Sequence, residues 1–136
     1  MNNASGGCLC GKVRFTAENV EHDFDTCHCA MCRKWCSSPF FTAMVSGVTF
    51  EDDEHLRIYD SSNWAERGFC KSCGSNLFYR LKSGQYFVSV GAFDDPAPFK
   101  LVREVYIDHK PGGYAFEGEL LQLTEAQVIE LFAPSD

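Results

Sequence analysis

A chain of 136 residues, 45% apolar and 14% aromatic, carries enough non-polar surface for one core, which excludes overall disorder. Nineteen acidic against twelve basic side chains give a formal charge of −7, so long-range attraction to phosphate backbones is weak and no nucleic-acid partner is expected. No run approaches the roughly 18 apolar residues of a membrane-spanning helix. Met1–Gly7 lacks the basic start and apolar stretch of a secretion signal, so the expected setting is cytoplasmic, without a membrane partner.

Stretches of β character recur along the chain. The first, Lys12–Ala17, alternates through Val13, Arg14 and Phe15 as a strand with one buried face does. A short helical segment is expected after Cys29, through Met31 and Trp35. Further strands are predicted at Phe40–Val45, Val48–Phe50, His55–Tyr59, Asn76–Leu81, Tyr86–Gly91 and Val102–Ile107, separated by Gly-, Ser-, Asp- and Pro-rich breaks. From Glu125 to about Ala133 the pattern is helical. Thr124 is the N-cap, Gln127 completes a capping box, Val128, Leu131 and Phe132 share a face, and Pro134 ends the run. The class is mainly β, with residues 1–136 forming a single zinc-binding domain.

Zinc enters through the cysteines. Seven of the eight lie in three clusters: Cys8 and Cys10; Cys27, Cys29 and Cys32; Cys70 and Cys73. In a reducing compartment such clusters are more often metal or redox sites than structural disulfides. If extended, Cys8 and Cys10 point to one face and aim two sulfurs at one ion. The Cys70–Cys73 spacing is that of a zinc knuckle, and Gly74 tolerates the positive φ such turns require. Two plus two completes a tetrahedral site that holds the fold together. No strand–helix–strand pattern surrounds Cys70 and Cys73, which argues against a redox dithiol. With both sites metallated, the net charge falls to about −10.

Cys27, Cys29 and Cys32 stop one short of a closed tetrahedron, the arrangement of catalytic zinc sites that keep a position open. Cys36 and His28 are candidates for the fourth ligand. Cys36 reads rather as a small apolar residue on the helix. His28, between two ligands, faces away from them, either at the surface or supporting the ligands. An open three-thiolate zinc suits a sulfur donor, so a thiol substrate can bind there as thiolate. Arg33, directly after the third ligand, is the candidate to stabilise developing charge or hold a carboxylate; Lys34 reads equally as a solvated cation. Arg67, three residues before Cys70, is expected to offset the charge of the four-Cys site, with reaching into the cleft as the alternative. Asp94 and Asp95, before Pro96, read as turn formers rather than acid or base. Trp35, Phe40, Phe41 and Phe69 pack the core or wall a pocket.

These residues also carry a resemblance. Gly6-Gly7-Cys8-Leu9-Cys10-Gly11-Lys12-Val13-Arg14-Phe15 resembles the opening motif of the glutathione-dependent formaldehyde-activating enzyme family, which includes centromere protein V. Cys27-His28-Cys29-Ala30-Met31-Cys32-Arg33-Lys34 is similar to its second motif, and Arg67-Gly68-Phe69-Cys70-Lys71-Ser72-Cys73-Gly74-Ser75-Asn76-Leu77 to its third. Gly91 to Pro96 resembles a later turn, and Asp108-His109-Lys110-Pro111 a weaker C-terminal element.

The resemblance implies a two-sheet β fold of the tent type with two zinc ions. Cys8, Cys10, Cys70 and Cys73 would hold the structural ion; Cys27, Cys29 and Cys32 the catalytic one, which is open to partial loss. It further implies carbon–sulfur lyase activity on a glutathione adduct, interconverting S-hydroxymethylglutathione with glutathione and formaldehyde. Cys27, Cys29, Cys32 and Arg33 are the catalytic set expected. Two departures bear on substrate identity: Ser37 and Ser38 stand where the family often has Gly, and Pro111-Gly112-Gly113-Tyr114 where a Pro-Trp pair is common. The alternative is a non-catalytic zinc module for a protein partner or for metal handling.

Overall fold

The structure is a computed structural model that describes residues 2–132, so the expected helix end at Ala133 and Pro134 lies outside the described residues. Strands β1 (Ala4–Gly7) and β2 (Arg14–Glu18) form a hairpin, followed by β3 (Asp23–Cys27) and helix α1 (Ala30–Cys36). Strands β4 (Phe40–Val45), β5 (Gly47–Phe50), β6 (Leu56–Tyr59), β7 (Ala65–Cys70), β8 (Asn76–Leu81) and β9 (Tyr86–Ser89) come next. Then follow β10 (Lys100–Val105), β11 (Leu121–Leu123) and helix α2 (Glu125–Phe132).

The strands divide into two sheets. The smaller has the order β1-β2-β5; the larger has the order β11-β10-β3-β4-β9-β8-β7-β6. Pairing is antiparallel except at β10, which runs parallel to both β3 and β11. The mainly β, two-sheet, two-helix expectation is met.

Because side chains alternate along a strand, the large sheet has two different faces. On one, Phe24, Ala43, Val45, Phe78 and Val88 pack with Phe15 and Ala17 of the small sheet to form the core. Burying each of the Phe and Val side chains contributes roughly 1.5–3 kcal/mol. The opposite face carries Cys27, Phe40, Arg67, Tyr79 and Phe87 and is covered by α2. That face holds the site.

Phe40–Val45 and Asn76–Leu81 form strands with the predicted bounds. Tyr86–Gly91 pairs only to Ser89, after which Val90–Ala92 turns as a short 3-10 helix. Four strands carry no clear β signal: β1, β3, β7 and β11. The charged or small residues of β1, β3 and β7 are overridden by tertiary pairing, and β11 is only three residues long. In β3, for example, Asp25 is buried against Arg103, whose Nε–H donates to it at 2.9 Å. The capping box of α2 forms as expected: the Thr124 N–H donates to Gln127 Oε1 at 2.8 Å, and the Gln127 N–H to Thr124 Oγ1 at 3.3 Å. The expected apolar face is corrected at one position. Leu131 is 62% exposed, and the face turned to the sheet is Glu125, Val128, Ile129 and Phe132, with Phe132 against Phe87.

Gly68 shows how closely the core face is packed. A Cβ there would stand 2.2 Å from the Phe78 ring, whereas one at Gly91 would meet nothing within 4 Å. Gly68→Ala is therefore expected to cost about 1–3 kcal/mol of unfolding free energy in urea titration. Gly91→Ala should stay within about 0.5 kcal/mol of the parent.

Candidate metal centres and the adjoining cavity

Cys8 and Cys10 lie in the turn between β1 and β2, not in an extended strand. The Gly11 N–H closes this turn on the Cys8 carbonyl at 3.2 Å, and Gly11 takes a φ of +81°. Cys70 ends β7 and Cys73 lies in the matching turn that leads to β8. There the Gly74 N–H meets the Cys70 carbonyl at 2.8 Å, with φ at +79°. Both pairs are thus presented by knuckles that need a residue in the left-handed region, where glycine is least strained.

All four Sγ atoms lie within 4.8 Å of one another, with Cys8–Cys10 at 3.5 Å and Cys10–Cys70 at 3.8 Å. A tetrahedral ion with Zn–S bonds of about 2.3 Å has sulfur–sulfur edges of about 3.8 Å, so this donor set fits one zinc. Backbone N–H groups aim at the sulfurs: Val13 at Cys8 (3.3 Å) and Ser72 at Cys70 (3.4 Å). Such bonds favour the thiolate form. The Ser75 hydroxyl, 3.2 Å from Cys73 Sγ, holds that thiol down to about 5. Ser75 Oγ also accepts from the Leu9 N–H at 2.9 Å, joining the two turns.

The second group begins where β3 leaves the sheet. β3 is paired on both sides, by β4 and β10, which fixes Cys27. Cys29 is the N-cap of α1 and accepts from the Cys32 N–H at 3.3 Å. The sulfurs of Cys27, Cys29 and Cys32 all lie within 4.8 Å of one another. Contacts from Cys27 and Cys32 hold the Cys29 thiol down to about 2. Cys32 is pushed up to about 12: Cys27 favours its ionised form, but Cys29 and burial outweigh that. Sulfurs that depend on each other for charge in this way suit a cation. Cys36 stays apart, its Sγ accepting from Asn76 Nδ2 at 3.8 Å. Among the described residues, the group has three sulfur donors.

His28 points away from the sulfurs, as expected, but is not at the surface. It is fully buried, with Nε2 2.8 Å from Glu104 Oε1 and Nδ1 2.7 Å from the Tyr114 hydroxyl. The neutral tautomer satisfies both: Nε2–H donates to the carboxylate and the Tyr114 O–H donates to Nδ1. The His28 N–H donates to the Val105 carbonyl at 3.1 Å, and the His28 carbonyl accepts from Arg33 Nε at 3.0 Å. Arg33 thus braces the ligand loop and does not line the cavity beside the sulfurs.

That cavity, about 380 Å³, opens on the three sulfurs. Its walls include Phe40, Trp64, Tyr79, Phe87 and Tyr106, with Val128, Ile129 and Phe132 of α2 above. At one side His109 Nε2 lies 3.0 Å from Glu125 Oε1, and Asp108 Oδ1 accepts from the Glu125 N–H at 3.0 Å. These contacts anchor α2 to the Ile107–His109 turn. Asp94 pairs with Arg14 at 2.9 Å, and Asp95 accepts from the Ala97 N–H at 3.0 Å, so the turn reading holds for Asp95.

The cation in the cavity is Arg67. Of the two places expected for it, beside the four-Cys site or in the cleft, it takes the second, on the opposite side of the sheet. Residues 67 and 70 are an odd number apart on one strand and point to opposite faces. Arg67 is 3% exposed, with Nη2 3.6 Å from Cys32 Sγ. Its guanidinium carbon lies 5.1 Å from the Trp35 ring centre and 5.0 Å from that of Tyr79. The period-two rule would have placed it, had β7 been recognised as a strand.

Residues 3–109 match the family described as glutathione-dependent formaldehyde-activating enzyme. The chain belongs to that family. It is 33% identical over 133 residues to a Schizosaccharomyces pombe protein named an uncharacterized lyase, covering 96% of this chain and 97% of the relative. A Halomonas elongata protein named for glutathione-dependent formaldehyde activation is 31% identical over 83 residues, 54% of this chain and 53% of that one. A solved structure of a Rhodobacter sphaeroides protein superposes with a TM-score of 0.58 at 26% identity, over 66% of this chain and 87% of the other. Among the described residues, no helix is long and apolar enough to cross a membrane.

The two sulfur groups are expected to respond differently to substitution. Cys70→Ser should reduce bound zinc from about two ions per chain to about one and lower the thermal midpoint sharply, because this ion links distant segments. Cys29→Ser should also leave about one ion per chain, with the smaller loss of midpoint. Metal analysis and calorimetry check this; equal losses of midpoint would contradict the division into structural and open sites.

Proposed function

We propose that this family member is a cytoplasmic, zinc-dependent carbon–sulfur lyase acting on a small-thiol adduct such as S-hydroxymethylglutathione. One observation carries the reading: three sulfur donors, one short of a tetrahedron, at the wall of an apolar cavity of small-molecule size. The family's description and the relative named a lyase support it. A thiophilic divalent ion there would lower the pKa of a thiol and favour a sulfur donor in the remaining position.

The chain's own residues have separate tasks. Cys27, Cys29 and Cys32 would hold the ion. His28, gripped by Glu104 and Tyr114, and Arg33, bonded to the His28 carbonyl, keep the ligand loop in shape. The aromatic walls and α2 limit water, which strengthens electrostatic effects at the reacting centre. Cys8, Cys10, Cys70 and Cys73 form the structural site. The acidic charge further supports a small-molecule substrate over a nucleic acid.

In the lyase direction the carbon–sulfur bond breaks, its electron pair returns to sulfur, and the hydroxyl proton leaves as the carbonyl forms. The reverse reaction also proceeds unaided, so rates are compared with buffer. Zinc-loaded protein added to glutathione and isotope-labelled formaldehyde should speed adduct exchange, read by magnetisation-transfer NMR, above the spontaneous rate. Cys29→Ser should return it to the buffer rate. Equal rates for buffer, parent and Cys29→Ser would overturn the lyase reading.

A further inference from the structure

We propose that Arg67 is a catalytic residue whose Nη1–H groups bind the oxygen on the reacting carbon, stabilising the oxyanion through which adduct and aldehyde interconvert. This rests on the lyase reading above.

Arg67 is a buried cation whose hydrogen-bonding capacity is incompletely used. At 3% exposure it has given up most of its hydration, and among the described residues no carboxylate pairs with it. Nη2 has Cys32 Sγ, and the guanidinium plane has the rings of Trp35 and Tyr79, but Nη1 is buried with no hydrogen-bond partner. Burying a charge without full pairing is costly, so the fold holds Arg67 there at a disadvantage unless a ligand completes the set.

Position decides which atom that ligand offers. Arg67 lines the same cavity as Cys27, Cys29 and Cys32, and its guanidinium already touches one of those sulfurs. A thiol substrate with its sulfur beside that set carries the hydroxymethyl oxygen one carbon away. The carboxylates of a glutathione-sized molecule lie several bonds further off. A donor so close to the sulfurs therefore addresses the oxygen of the reacting carbon.

The electron count is simple. In the addition, a thiolate pair forms the carbon–sulfur bond and the carbonyl π pair moves to oxygen, giving an alkoxide that takes a proton from water. In cleavage, the hydroxyl proton goes to water, the carbonyl re-forms and the carbon–sulfur pair leaves on sulfur. The guanidinium keeps its protons in both directions. Its unpaired Nη1–H groups face the charge that develops, and the rings of Trp35 and Tyr79 hold its plane.

Two substitutions test this. Arg67→Met keeps an apolar stem between Trp35 and Tyr79; Arg67→Lys keeps the charge without the fork. Losing an oxyanion donor costs roughly 100- to 1,000-fold in kcat, and that loss is expected for Arg67→Met, with the glutathione KM changed little and bound zinc unchanged. Arg67→Lys should fall between, and added methylguanidinium should partly restore an Arg67→Ala variant. Calorimetry supplies a readout independent of turnover. Arg67→Met should bind the S-hydroxymethyl adduct at least about tenfold more weakly, yet bind S-methylglutathione, which lacks the oxygen, as the parent does.

An unchanged kcat would overturn the assignment. So would a loss confined to KM and shared by S-methylglutathione, which would make Arg67 a carboxylate clamp, or a loss of zinc, which would make it a charge balance only. If the parent itself gives no acceleration, the lyase reading fails. The two-ligand binding comparison then still decides Arg67, and equal affinities of parent and Arg67→Met for the hydroxymethyl adduct would refute it.

Discussion

Four sulfurs packed at the edge length of a zinc tetrahedron are the constraint on which the rest depends. At 3.5 and 3.8 Å their thiolates repel unless a cation lies among them, and Cys10 and Cys70 stand sixty residues apart in the chain. Closing that contact brings the β1–β2 turn to the β7–β8 turn and so sets the small sheet on the large one. The core residues Phe15, Phe78 and Val88 meet between those two sheets. Hydrophobic burial then does most of the stabilising, but around a geometry that the sulfurs and their N–H donors specify.

The large sheet separates stability from chemistry by alternation alone. Gly68 and Cys70 face the core; Arg67, on the same strand, faces the cavity. Across the sheet, Arg67 pairs with Tyr79 and Tyr79 with Phe87, so three adjacent strands place a cation and two rings side by side. The three-sulfur group is built at the same face, from the end of β3 and the first turn of α1. One sheet thus carries a four-sulfur group at the β7–β8 turn and a three-sulfur group on its cavity face.

Much of this was legible in the chain. Cysteine spacing gave both sulfur groups, because ligand geometry is local: each pair or triplet lies within six residues. Glycines 11 and 74 marked the knuckles, and the Thr124–Gln127 box marked α2. What the sequence hid depends on long-range register. β3 and β7 are rich in charged residues that are solvent-facing in most settings, and only their pairing shows Asp25 and Arg67 to be buried. The same limit left two places open for Arg67 and gave no sign that Arg33 turns to the His28 carbonyl. It also left open whether His28 was exposed, since its partners Glu104 and Tyr114 are 76 and 86 residues away.

Two sites of unequal closure lead to one direct measurement. X-ray absorption at the zinc edge reports the mean number of sulfur neighbours per ion. Four ligands at one site and three at the other give a mean of about 3.5, and a thiol in the open position raises it to about 4. The zinc-loaded protein should show the first value alone and the second with glutathione added. A mean of 4 from the start, or 3.5 unmoved by glutathione, would contradict an open site that takes a thiol.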